Sequence, residues 1–316
     1  MKFEHLQGLI AAPFTPMDKN GDLNIALIPS YYEFLKHNGV TGAFICGSTG
    51  EGVSITVEEK KAVTQAWANC TVNDKDFKVM LLVGGNTLAD CKELAKYAQQ
   101  VGIYGVSFTS PSYFKPASVA ILAQMCREIA AVVPDMPFYY YHIPVLTHTN
   151  FLMIGLLKAI GDIPNFAGIK YTHEDFMDFL SCLNHNNGHY DMLWGRDENM
   201  LSALALGTKG AVGSTFNYAA PLYTRMITAF NNNDLQKAQQ LQQKAIDMIT
   251  LLGKYGGIAT GKAYMKLIGI DCGEFRLPVK NMNEEQFEKF KLDVAELGFD
   301  TFKSKPPVAM ADKHHE

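Results

Sequence analysis

The run Phe166-Ala167-Gly168-Ile169-Lys170-Tyr171-Thr172 decides how the rest of the chain is read. It stays apolar up to Ile169, without polar alternation, and then ends on a lysine. A short continuous apolar run suits a parallel strand buried on both faces. Comparable runs lie at 8–14, 42–46, 79–84, 104–108, 138–142, 190–195 and 210–214. Helical signals fill the gaps between them. Thr56-Val57-Glu58-Glu59 is a capping box, in which hydroxyl and carboxylate satisfy free backbone donors. Val119, Leu122, Cys126, Ile129 and Val133 form an apolar stripe that Pro134 stops. Asn38-Gly39 is a left-handed helix stop. Eight strand–helix alternations by about residue 231 predict an α/β fold, a (β/α)8 TIM barrel, with a doubly wound open sheet as the rival.

Beyond Asp234 the alternation ends. Leu235, Ala238, Leu241, Ala245, Met248, Ile249 and Leu252 mark a long amphipathic helix, and 263–270 and 284–297 read as two more. The length of 316 residues alone would suggest two domains. The pattern instead predicts one barrel domain over 1–300, of which about 232–300 form a C-terminal helical extension. Residues 301–316 are polar, with Pro306-Pro307 and His314-His315, and read as a mobile tail.

Composition narrows the function. A chain that is 47% hydrophobic and 19% charged buries a large core and is not disordered. No apolar run approaches the roughly 18 residues of a spanning helix, so no membrane is expected as a partner. The 28 Lys+Arg against 32 Asp+Glu give a net charge of −4, which argues against nucleic acid. Cys46, Cys70, Cys91, Cys126, Cys182 and Cys272 include no C-x-x-C pair and read as reduced thiols. Met1-Lys2-Phe3-Glu4-His5 lacks an apolar signal segment, so a soluble cytoplasmic protein is expected.

Barrel chemistry belongs at the strands' C-terminal ends. There, Lys170 closes an apolar strand. Desolvation would lower its pKa from about 10.4 and free an amine able to form a Schiff base. The alternative is a lysine that snorkels to solvent or pairs with a rim carboxylate. Gly47-Ser48-Thr49-Gly50-Glu51-Gly52 is a turn whose N–H groups and two hydroxyls can hold a carboxylate, or simply a tight glycine turn. Tyr141 can transfer protons if a cation or relay assists it, or else is a core aromatic. Asp197 and Glu198 can accept from sugar hydroxyls or open a solvated helix. His142 alternates away from Tyr141 and reads as a wall residue, and His173 as a loop residue. No histidine spacing suggests a metal, and none is expected.

Three motifs in register, G-S-T-G-E at 47–51, Y-H-I-P at 141–144 and G-I-K-Y-T at 168–172, carry a resemblance across about 6–299. The chain resembles the pyruvate-dependent class I aldolase family that includes dihydrodipicolinate synthase and N-acetylneuraminate lyase. Within it, Ser48-Thr49 and the run 138–144 are more similar to the lyase branch. The synthase branch carries an arginine shortly after this proline, where Val145-Leu146-Thr147 offers none. The resemblance implies reversible cleavage of N-acetylneuraminate to N-acetylmannosamine and pyruvate. Lys170 would form the Schiff base. Tyr141 would take part in moving the proton from the fourth-carbon hydroxyl, with the substrate carboxylate as relay. Ser48 and Thr49 would hold that carboxylate, and Thr172 would position the hydroxyl. Gly195, Asp197, Glu198 and Ser214 would bind the distal hydroxyls, and Tyr113 would join the relay across a subunit interface. It implies no cofactor or metal, small-molecule partners only, and a homotetramer. The alternatives are a dihydrodipicolinate synthase, a 2-keto-3-deoxy-sugar-acid aldolase, or a catalytically silent sugar-acid-binding barrel.

Overall fold

The computed structural model describes residues 4–307, and its eight parallel strands close into a barrel in chain order. They are β1 (Gly8–Ala11), β2 (Val40–Ile45), β3 (Lys78–Gly84), β4 (Gly105–Thr109), β5 (Phe138–His142), β6 (Phe166–Tyr171), β7 (Asp191–Trp194) and β8 (Gly210–Gly213). The first strand pairs with the last, from Gly8 opposite Gly210 to Ala11 opposite Gly213. That closure removes the open doubly wound sheet as a reading.

Helices α1 (Ile28–His37), α2 (Val57–Thr71), α3 (Leu88–Val101) and α4 (Val119–Ala130) follow the first four strands. Helices α5 (Pro144–Thr147) and α6 (Met153–Ala159) share the next connection, before α7 (Phe176–Asn184), α8 (Met200–Leu206) and α9 (Phe216–Asn231). The local signals act as chemistry requires. Thr56 Oγ1 accepts from Glu59 N at 3.2 Å, and the Glu59 carboxylate accepts from Thr56 N at 2.8 Å. The α4 stripe of Leu122, Cys126 and Ile129 is fully buried.

Two apolar layers result. One fills the space between strands and helices, and the other lies inside the ring, around Phe44, Met80, Tyr139, Tyr141 and Leu193. Near the start of β7, Asp191 Oδ2 accepts from Leu6 N at 3.1 Å and from the Tyr139 hydroxyl at 3.0 Å. Burial pushes that carboxyl up to about 6, against the pull of the Leu6 N–H.

Three further helices complete the chain: α10 (Leu235–Lys254), α11 (Ala259–Leu267) and α12 (Glu284–Glu296). The second starts at Ala259 rather than 263. Its first turn contains Gly261, a poor helix former. A Cβ at Gly261 would stand 2.3 Å from Phe14 Cζ, so packing against the barrel outweighs propensity there. The segment from 301, read as mobile, is held at its start. Phe302 and Ser304 are buried, Ser304 N donates to Tyr218 O at 2.8 Å, and Ser304 Oγ accepts from Ala220 N at 3.2 Å. The remaining tail residues, 308–316, lie outside the described residues. Among the described residues no helix is long and apolar enough to cross a membrane. All six cysteines are free thiols.

Candidate active site

Lys170 reaches the barrel interior through an irregularity in β6. Phe138 pairs with Phe166 but Tyr139 pairs with Gly168, so Ala167 is an extra residue that changes the strand's inward phase. Gly168 is required, because a Cβ there would stand 1.9 Å from Asp191 O. Lys170 then lies opposite Tyr141 in register. Its Nζ sits 4.0 Å from the ring centroids of both Phe44 and Tyr141, which meet edge-on at 5.4 Å. Lys170 is only 4% exposed, so it does not snorkel to solvent, and among the described residues it forms no salt bridge. Burial pushes its ammonium down to about 7, although the negative charge of Asp197 raises it. At neutral pH a large share of this lysine is therefore free amine.

Burial pushes the Tyr141 phenol the other way, up to about 12, against the lowering effect of the Ser48 and Thr172 hydroxyls beside it. The resting group is a neutral phenol. Thr172 N donates to His142 O at 2.8 Å, whereas among the described residues its buried Oγ1 meets no partner in hydrogen-bonding geometry. A bound hydroxyl would satisfy it.

The turn after β2 doubles back sharply. Cys46 and Glu51 adopt left-handed backbone, with φ of +55° and +57°. Glu51 N donates to Ser48 O at 3.2 Å, and Gly52 N to Gly47 O at 3.0 Å. A Cβ at Gly52 would stand 1.9 Å from Cys46 O, so only glycine fits there. The N–H groups of Ser48 and Thr49 make no hydrogen bond within the described residues. With two hydroxyls they form a cradle suited to a carboxylate.

The next rim segment, Gly195 to Glu198, joins this site. Gly195 N donates to Tyr171 O at 2.8 Å, and a Cβ on it would come 1.9 Å from Thr172 Oγ1. Asp197 opens a short 3-10 turn, Asp197–Asn199, yet is not solvated. It is 6% exposed, and its Oδ2 accepts from Thr215 N at 2.9 Å and Thr215 Oγ1 at 2.6 Å. Burial pushes its carboxyl up to about 6, against those hydrogen bonds. Glu198 is partly buried, and its Oε1 takes Arg196 Nη2 at 2.5 Å, which also reaches Glu174 Oε1 at 2.8 Å. Ser214 is half-buried beside them, its carbonyl taken by Asn217 Nδ2 at 2.7 Å.

The structure therefore brings together Lys170, Tyr141, Ser48, Thr172 and Asp197, with Thr49, Gly195, Glu198 and Ser214 on the same rim. Tyr113 stands apart, 81% exposed and edge-on to Phe114 at 4.9 Å. His142 faces outward among Tyr140, Tyr171 and His173, and burial pushes its imidazole down to about 3. Among the described residues no group of three His, Cys, Asp or Glu is arranged to hold a metal.

Three contributions are not legible in the sequence. Phe44 looks like any core residue of an apolar strand. Thr215, the donor to Asp197, stands next to Ser214, but nothing local shows which hydroxyl turns inward. Glu51 lies within the glycine motif, yet its partner Lys262 comes from α11, 211 residues away.

The family model of the dihydrodipicolinate synthetase family matches residues 5–297. The N-acetylneuraminate lyase of Rattus norvegicus is 38% identical over 302 residues, which cover 94% of each chain. Among solved structures, the N-acetylneuraminate lyase of Proteus mirabilis superposes with a TM-score of 0.90 at 38% identity, covering 94% of this chain and 100% of that one. A dihydrodipicolinate synthase of Bacillus anthracis gives 0.85 at 26% identity, covering 92% and 97%.

Proposed function

Because the chain belongs to the dihydrodipicolinate synthetase family, we propose that it is an aldolase that splits N-acetylneuraminate reversibly into N-acetylmannosamine and pyruvate. The observation that carries this reading is the Lys170 amine, held near neutrality between two aromatic faces opposite Tyr141. Lys170 Nζ attacks the ketone of the open-chain sugar acid, and water leaves as the iminium forms. Ser48 and Thr49 hold the adjacent carboxylate. The hydroxyl on the fourth carbon gives up its proton as the neighbouring carbon–carbon bond breaks, and the bonding electrons pass into the iminium to give an enamine. A phenol with a pKa of about 12 is a poor base alone. Tyr141 therefore works as a relay, passing a proton between that hydroxyl and the substrate carboxylate. Thr172 positions the hydroxyl. Protonation and hydrolysis of the enamine then release pyruvate from Lys170.

Asp197, Glu198, Ser214 and the backbone at Gly195 bind the distal hydroxyls of the sugar. The rat and Proteus relatives, both named N-acetylneuraminate lyase, support this substrate over those of the synthases. So does Val145-Leu146-Thr147, which supplies no arginine after Pro144. Assembly is a homotetramer in which Tyr113 enters a neighbour's relay. Its support is the exposed Tyr113–Phe114 pair, which borders an open cavity of about 390 Å³. The compartment is the cytoplasm, in keeping with six unpaired cysteines.

Two measurements test the reading. Borohydride trapping with pyruvate, read by mass spectrometry, should give one adduct on Lys170 and none in Lys170→Ala. An adduct that survives the substitution refutes the assignment, and a wild-type chain that forms none favours the silent binding barrel. Parallel assays with N-acetylneuraminate, 2-keto-3-deoxygluconate, and aspartate semialdehyde plus pyruvate should show turnover of the first. Turnover of another substrate without it sinks the choice.

A further inference from the structure

The Ser48-Thr49 turn is gripped from behind by the C-terminal region. Glu51 Oε1 takes Lys262 Nζ at 2.7 Å, and Oε2 takes Arg276 N at 2.9 Å. Lys262 also donates to Glu274 O at 2.9 Å and lies 4.8 Å from the Phe275 ring centroid. The two charged side chains are 3% and 2% exposed. A second clasp sits just downstream, where Arg276 Nη1 donates to Ser54 O at 3.1 Å and to Glu59 Oε2 at 3.0 Å.

A buried ion pair seldom adds net stability, since desolvation offsets the attraction and an apolar pair would serve as well. What it supplies is direction. The Glu51 carboxylate is fixed at both oxygens, and its own backbone is left-handed at φ +57°, a conformation a side chain other than glycine rarely takes. Glu51 is two residues from Thr49 and donates its N–H to Ser48 O. If the carboxylate were released, the left-handed backbone at Glu51 would lose what holds it, and a shift there would pass through the Glu51 N–H to Ser48 O bond to the cradle.

We propose that Lys262 is a positioning residue for the aldolase reaction: through Glu51 it holds the Ser48-Thr49 turn in the shape that receives the substrate carboxylate. The inference rests on the aldolase reading above. It predicts that loss of the pair harms recognition of the carboxylate and spares imine formation itself.

The test compares two ketones by cyanoborohydride trapping on Lys170, with adduct yield read by intact mass. Pyruvate carries the carboxylate, and hydroxyacetone offers a ketone without one. In Lys262→Met the half-saturating pyruvate concentration should rise about tenfold or more, and the value for hydroxyacetone should stay within about twofold. Glu51→Gln should behave alike, because its amide cannot accept from both Lys262 and Arg276 N in the same way. It serves if Lys262→Met does not fold, as judged by a thermal melt. Unchanged pyruvate saturation in a folded variant overturns the proposal. So does equal weakening of both ketones, and so does failure of both variants to fold, which would make the pair a stability element only. A wild-type chain that traps no pyruvate refutes the aldolase reading instead, and the two failures are thereby distinguished.

Discussion

Lys170 and Asp197 set each other's charge. The carboxylate raises the lysine and the lysine lowers the carboxylate, while burial drives each toward its neutral form. Imine formation needs the free amine, whose fraction grows as pH rises through about 7. The rate of pyruvate trapping should therefore climb between roughly pH 5 and 8 and level off above. In Asp197→Asn the charge that raises the lysine is gone, so the rising limb should move to lower pH. Stopped trapping across a pH series checks this, and a shift upward contradicts the coupling. The same substitution should raise KM for N-acetylneuraminate. Tyr141→Phe should still trap pyruvate yet lose about 10²–10⁴-fold in kcat for cleavage, as a steady-state assay with a coupled pyruvate readout would show. Much of this was readable from the chain. A lysine that ends an apolar run announces its own desolvation, and Ser48-Thr49 announce a cradle. The shared charge of Lys170 and Asp197 was not readable, because it depends on which rim carboxylate turns inward, and Thr215 decides that from another strand.

At the level of strands and helices, periodicity sufficed for the eight strands, which read as mostly apolar runs, but not for their closure, which the pairing of β1 with β8 supplies. It did not suffice for register. The extra Ala167 that turns Lys170 inward is defined only against β5, and a single sequence carries no trace of that pairing. Nor did it place the start of α11, where Gly261 weakens the local signal and Phe14 supplies the reason for it. The rim glycines behave similarly. Gly195→Ala would drive a methyl into Thr172 Oγ1. It should destabilise the fold by about 1–3 kcal/mol, seen as a lower melting midpoint. It should also cost activity beyond that loss, because Thr172 cannot keep its place. A variant with wild-type stability and turnover would show that the loop yields easily.

For the molecule as a whole, Tyr113 and Phe114 are large aromatics left almost bare and packed edge-on to each other. If the tetramer proposed above is held through this pair, Tyr113→Ala/Phe114→Ala should shift the particle to a smaller species in light scattering and reduce turnover in step. Unchanged mass with unchanged turnover would remove Tyr113 from the relay.

The clasp between Glu51 and residues 262 and 276 also orders events in time. A ribosome releases the glycine turn early and Lys262 more than two hundred residues later. Until then the Glu51 carboxylate lacks both partners it has in the complete fold. If Lys262 positions the turn as proposed, the turn can take its final shape only after the eighth strand has been made, and a chain ending before residue 262 should bind pyruvate poorly.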